Sequence, residues 1–135
     1  MESPESPDMA STAQALLASA EVSIPLSDDV RFQGEPAMAS AGDITLVVWT
    51  QNPQAGQSST IRGMRVRKSD GALLDATPLC IACDIGTQYE PRVASNGTDF
   101  LVTWTHLSGG PPSIRGVRVR GSDGAVLGPS ALLSV

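Results

Sequence analysis

Along residues 44–50 the chain reads Ile-Thr-Leu-Val-Val-Trp-Thr, with no polar side chain between Leu46 and Trp49. Phe100-Leu101-Val102 has the same unbroken apolar character. A half-buried strand alternates apolar and polar residues, so an unbroken run predicts a strand covered on both faces. The tract Ile61-Arg62-Gly63-Met64-Arg65-Val66-Arg67 does alternate, which predicts a strand with one polar side. Turn-forming residues separate these tracts, among them Gly42, the Gly/Pro/Ser/Gln segment 51–60 and Ser69-Asp70-Gly71. The pattern predicts four strands, over 36–40, 44–50, 61–67 and near 73–81.

The same order then repeats. Glu35-Pro36-Ala37-Met38-Ala39-Ser40-Ala41-Gly42 recurs as Glu90-Pro91-Arg92-Val93-Ala94-Ser95-Asn96-Gly97, and Leu46-Val47-Val48-Trp49-Thr50 as Leu101-Val102-Thr103-Trp104-Thr105. Farther on, Ile61-Arg62-Gly63 recurs as Ile114-Arg115-Gly116, and Ser69-Asp70-Gly71-Ala72 as Ser122-Asp123-Gly124-Ala125. In the second copy the first turn carries Asn96-Gly97, a strong hairpin signal. That role also accounts for the glycosylation sequon Asn96-Gly97-Thr98. Four short up-and-down strands per repeat, with middle strands apolar on both faces, predict β-propeller blades. A β-sandwich would place polar residues at every second position of those strands. The expected fold is therefore all-β: two four-stranded antiparallel propeller-type blades, in a ring completed by homo-oligomerisation or by further blades. The expected division is an N-terminal arm over 1–20, an extra strand and linker over 21–34, and blades over 35–89 and 90–135.

Pro36-x-x-Ala39, Gly42, Leu46-Val47-x-Trp49, Ile61-x-Gly63-x-Arg65-Val66 and Asp70-Gly71-x-x-Leu74 resemble the tandem blade repeat of large secreted bacterial β-propeller proteins. The resemblance covers residues 35–135. It implies a propeller, export to the cell surface or beyond, and a non-catalytic binding or scaffolding role. Ser69-Asp70-Gly71 differs from the Asp-box of sialidases, which resembles S-x-D-x-G-x-x-W.

Two blades do not close a ring, since propellers have about 4–8 of them. A dimer, trimer or tetramer of two-bladed chains gives a closed ring through a head-to-tail contact, and the trimer is the expectation adopted. Glu21-Val22-Ser23-Ile24-Pro25-Leu26 resembles the fourth-strand tract Pro78-Leu79-Cys80-Ile81. It is expected to complete a blade across a subunit boundary, leaving 131–135 displaced or weakly paired.

Charge changes the picture only at the N-terminus. The formal net charge is −5, and residues 1–35 hold seven acidic side chains against Arg31 alone. The body of the chain lacks the basic face and interleaved aromatics that nucleic-acid binding needs. Its apolar runs are too short for a membrane-spanning helix. Ala18-Ser19-Ala20 resembles a signal-peptidase site, but the acidic segment ahead of it does not fit an export signal.

Several residues carry candidate chemistry, each with two readings. Glu35 and Glu90 open the two repeats. Around a ring they would form a circle of carboxylates for a cation or polar ligand, or each would accept hydrogen bonds from the neighbouring blade. Arg62 and Arg115 are candidate ligand contacts, or partners of Asp70 and Asp123 or of the glutamates. Trp49 and Trp104 belong to the core, or stack on sugars. Arg65, Arg67, Arg118 and Arg120 form a period-2 stripe, read as a solvated outer strand or an anion surface. Cys80 and Cys83 read as a local disulfide or two free thiols, since zinc needs four ligands.

No cofactor or metal is expected. Catalysis would rest on His106 alone, in a loop the other copy lacks, and the carboxylates come as repeat equivalents sharing one environment. The sequence thus points to a non-enzymatic, lectin-like binding module that takes a glycan at repeated shallow sites between blades. The alternative is a structural or protein-interaction segment of a larger exported propeller.

Overall fold

The computed structural model describes residues 25–27, 32–52 and 58–133. Eight strands follow in order: β1 (Gln33–Ala41), β2 (Ile44–Gln51), β3 (Thr60–Arg67), β4 (Leu79–Ala82), β5 (Thr87–Ser95), β6 (Phe100–Leu107), β7 (Ser113–Val119) and β8 (Val126–Leu132). They form two four-stranded antiparallel sheets, ordered β1-β2-β3-β4 and β5-β6-β7-β8. The described chain is all-β, built as two propeller-type blades. None of its helices is long and apolar enough to cross a membrane, because the described residues form none.

The blades stack face to face, with β5 lying across β1 and β2 of the first blade. Leu46 and Val48 from β2 join Phe100, Val102 and Trp104 from β6 in a single core cluster. Alternation along β6 places Phe100, Val102, Trp104 and His106 on the buried face. The backbone is knitted there as well: the Gln88 N–H donates to the Ser59 carbonyl at 3.1 Å, and Ser59 Oγ donates to the Gln88 carbonyl at 2.6 Å.

Three expectations need correction. Phe100-Leu101-Val102 is not covered on both faces: Leu101 is 45% exposed, whereas its counterpart Leu46 is 0% exposed. Blade 2 covers Leu46, and no described residue does the same for Leu101. The fourth strand of blade 1 is short, 79–82 rather than 73–81, with Leu73 making an isolated bridge to Val66. The cause is Asp75, whose carboxylate accepts the Arg65 backbone N–H at 2.8 Å and so replaces a strand partner. Residues 131 and 132 are not displaced, since Ala131 pairs with Gly116 and Leu132 with Arg115. The extra strand expected over 21–26 falls mostly outside the described residues, and Pro25 and Leu26 themselves lie in no strand. The expected arm over 1–20 lies wholly outside them.

Cys80 and Cys83 form a disulfide at the end of β4. It spans the irregularity at which Ile61 pairs with Ala82 while Arg62 pairs with Cys80.

Candidate functional site

Glu35 and Glu90 sit at matching bulges, where pairing is interrupted between Gly34 and Ala37 in β1 and between Tyr89 and Arg92 in β5. Both adopt left-handed backbone, with φ of 53° and 54°. That conformation costs a residue with a β-carbon roughly 1–2 kcal/mol and persists where its surroundings fix it. At Glu35 the fixing groups are present. Thr50 Oγ1 donates to Glu35 Oε2 at 2.6 Å, and the Glu90 backbone N–H donates to the same oxygen at 2.9 Å. The Thr50 bond, followed by the Glu90 bond, holds the Glu35 carboxyl below its ordinary value. Glu35 therefore ties one blade to the next. The Glu90 carboxylate receives no such bond among the described residues.

A cleft of about 550 Å³ opens where the β4–β5 connector meets the β6–β7 loop. Asp84, Ile85, His106, Ser108, Ser113 and Arg115 line it. Gln88 orders its wall. The Gln88 amide nitrogen donates to the carbonyls of Asp84 and Gly86, both at 3.3 Å, which turns Oε1 the other way. That oxygen accepts the Trp104 indole N–H at 2.9 Å and lies 2.7 Å from His106 Nδ1. An amide oxygen only accepts, so the His106 proton resides on Nδ1 and the lone pair on Nε2. Burial pushes the His106 pKa below its ordinary 6.5, the Arg115 charge adds to this, and Asp84 opposes it. The imidazole is thus neutral at pH 7, and it is only 5% exposed.

Arg115 differs from its counterpart. Arg62 Nε donates to Thr60 Oγ1 at 3.3 Å, whereas Arg115 Nε is buried without a hydrogen-bond partner among the described residues. Neither arginine pairs with the turn aspartates. Asp70 instead bonds Arg67 at 3.0 Å and Asp123 bonds Arg120 at 2.9 Å.

Of the six residues singled out from sequence, Arg115 lines the cleft and Trp104 lies behind it, held through Gln88. Arg62, Trp49 and Glu35 belong to blade 1 and contribute nothing to the cleft, and Glu90 lies at the bulge. Both tryptophans are largely buried, Trp104 behind the cleft and Trp49 in the wall of a separate pocket beside Gly34 and Pro36. The arginine stripe is not uniformly solvated either. Arg65 and Asp75 form a buried pair at 2.7 Å, each side chain 7% exposed, and Arg65 Nη1 donates across the blades to the Gly121 carbonyl at 3.0 Å. Arg118, at the matching position, bonds Asp99 at 2.6 Å near the surface.

Sequence reasoning missed Asp84, Ser108 and Ser113 and discounted His106. His106, Ser108 and Ser113 lie in the segment that differs between repeats, whereas Asp84 lies in the connector between the blades. That difference was the available signal: His106 stands where blade 1 has Gln51.

No protein-family model matches this chain, and no curated protein is similar to it in sequence. Among solved structures it is similar to an alpha-L-arabinofuranosidase from Lactobacillus brevis, with a TM-score of 0.56 at 15% identity. The likeness covers 81% of this chain and spans 36% of that enzyme chain. At this identity it establishes the fold. It also overturns the expectation of a non-enzymatic protein, because this blade arrangement occurs within an enzyme and is no argument against catalysis.

Proposed function

We propose that this chain contributes two blades to an exported β-propeller that binds carbohydrate in the cleft between Asp84, His106 and Arg115. The observation that carries this reading is the unpartnered Nε of Arg115 beside the cleft. A buried donor left without a partner costs about 1–3 kcal/mol, and rotation of the guanidinium toward the cleft lets a ligand hydroxyl satisfy it. The other groups suit the same ligand. Asp84 and the His106 Nε2 lone pair accept hydrogen bonds, and the hydroxyls of Ser108 and Ser113 do both. Asp84 and Arg115 cancel in charge, which favours a neutral sugar over an acidic one. Exposed Ile85 and Pro111 give the rim an apolar surface for the C–H face of a sugar ring.

Two further features support this reading. The similar solved structure carries the name of an arabinofuranoside-acting enzyme. The Cys80–Cys83 disulfide suits an oxidising compartment, in keeping with the resemblance to secreted bacterial propellers.

The test is calorimetric titration of the full chain with neutral oligosaccharides, arabinofuranosides among them, alongside acidic ones. Saturable binding of a neutral sugar, weakened about tenfold or more by Arg115→Ala and by Asp84→Asn, is the expected result. Silence across the panel overturns it and leaves a structural or protein-interaction role.

A further inference from the structure

The chain carries both halves of its own blade–blade contact, and one example of that contact is already made. On blade 1, the face holding Leu46, Val48 and Thr50 is covered by blade 2. The corresponding face of blade 2, with Leu101, Thr103, Thr105 and Ile114, is open: Leu101 is 45% exposed and Ile114 41%, against 0% for both Leu46 and Ile61. Conversely, blade 2 inserts Val93 into the shared core, whereas Met38, at the same position of blade 1, is 67% exposed.

Polar groups repeat this division. Glu35 accepts the backbone N–H of Glu90 in the contact that is made. Glu90 has the same left-handed backbone, and its carboxylate accepts no hydrogen bond among the described residues. A groove of about 340 Å³ lies on the open face, lined by Ala94, Ser95, Asp99, Phe100, Leu101 and Arg118. The matching place on blade 1 is occupied: the Gly121–Gly124 turn of blade 2 sits against Arg65 there. In the repeat, the counterpart of that turn is Lys68–Gly71.

We propose that the open face of blade 2 docks blade 1 of a second copy of this chain, in the orientation blade 2 takes on blade 1. Glu90 then accepts the backbone N–H of the second copy's Glu35, Met38 enters the apolar layer over Leu101, and the Lys68–Gly71 turn fills the groove beside Arg118. The second copy is the occupant because it presents the residues that blade 2 uses: Glu-Pro at the bulge, an apolar residue two positions after the proline, and Ser-Asp-Gly in the turn. The contact joins unlike surfaces, so it propagates head to tail and closes as a ring.

Mixing tests the arrangement. Leu101→Asp disables one half by placing a carboxylate in an apolar layer, and Met38→Asp disables the other. Light scattering behind size exclusion, with circular dichroism confirming that each variant is folded, is expected to give a discrete oligomer for the wild-type chain. Each single variant is expected to associate at least about tenfold more weakly. Mixing the two restores one good surface on each partner, so a 1:1 pair and nothing larger forms. A wild-type monomer at all concentrations overturns the proposal and assigns the face to a blade outside this chain. An oligomer indifferent to both substitutions, or a mixture that stays monomeric, overturns it equally.

Discussion

The carboxylate of Glu35 accepts the backbone N–H of Glu90 at 2.9 Å, and these two residues occupy the same position in successive blades. Each repeat thus recognises the next at the residue where the repeat begins. The left-handed backbone at Glu35 is tied to this contact, since it presents the side chain to Thr50 and to the neighbouring bulge together.

Glu35 and Glu90 should therefore respond differently to the same change. Glu35→Ala is expected to lower stability by about 1 kcal/mol through loss of two hydrogen bonds to an exposed carboxylate. Glu90→Ala, measured in a background carrying M38D and L101D, is expected to change it by less than about 0.5 kcal/mol. Urea denaturation monitored by tryptophan fluorescence checks the pair.

The same carboxylate gives an acid-dependent term. The folded pKa of Glu35 is depressed from its ordinary 4.5. Its contribution is present above that value and is lost as pH falls through the lower folded pKa. Glu35→Gln should remove this part of the acid destabilisation, read as a flatter dependence of the urea midpoint on pH below 4.5.

His106 acts in a higher window. Its folded pKa lies below the ordinary 6.5, so the unfolded chain binds a proton there that the native imidazole refuses. Stability should fall as pH drops below about 6.5 and level off below the folded pKa. His106→Gln installs the residue that blade 1 carries at Gln51 and should abolish this slope. Chemical shifts of the His106 ring followed from pH 8 to pH 5 read the same depression directly.

The Arg65–Asp75 pair is held by more than its charges. Asp75 also accepts the Arg65 backbone N–H, and Arg65 reaches Gly121 on the other blade. Asp75→Ala leaves a buried guanidinium without its counter-charge and should cost about 3 kcal/mol, as measured by thermal or urea unfolding. Asp99→Ala, which removes the more exposed partner of Arg118, should cost less.

Gly121 is fixed by sterics rather than by backbone angle. A β-carbon there would overlap the Thr98 carbonyl oxygen, so Gly121→Ala should destabilise by about 2 kcal/mol. Gly97 has open space around it but φ of +94°, so Gly97→Ala should cost about 1 kcal/mol through backbone strain. The order of the two unfolding midpoints checks the distinction.

The sequence by itself determined the blades. The duplicated Glu-Pro, Leu-Val-x-Trp and Ile-Arg-Gly tracts set strand number and order, because strand period, turn residues and repetition are local properties that survive without a partner. It did not determine which surfaces are covered. Leu46 and Leu101 are identical in type and local context, yet one is buried and the other open, since burial depends on a blade more than fifty residues away. For the same reason Arg65 and Arg118 look alike in sequence and differ in structure: Asp75 and the Gly121 turn reach the first, and no described residue takes their places at the second. The cleft, too, was decided by tertiary structure. Asp84 and His106 are brought together by the passage from one blade to the next, and the proton on His106 is assigned by Gln88, a neighbour that no spacing along the chain reveals.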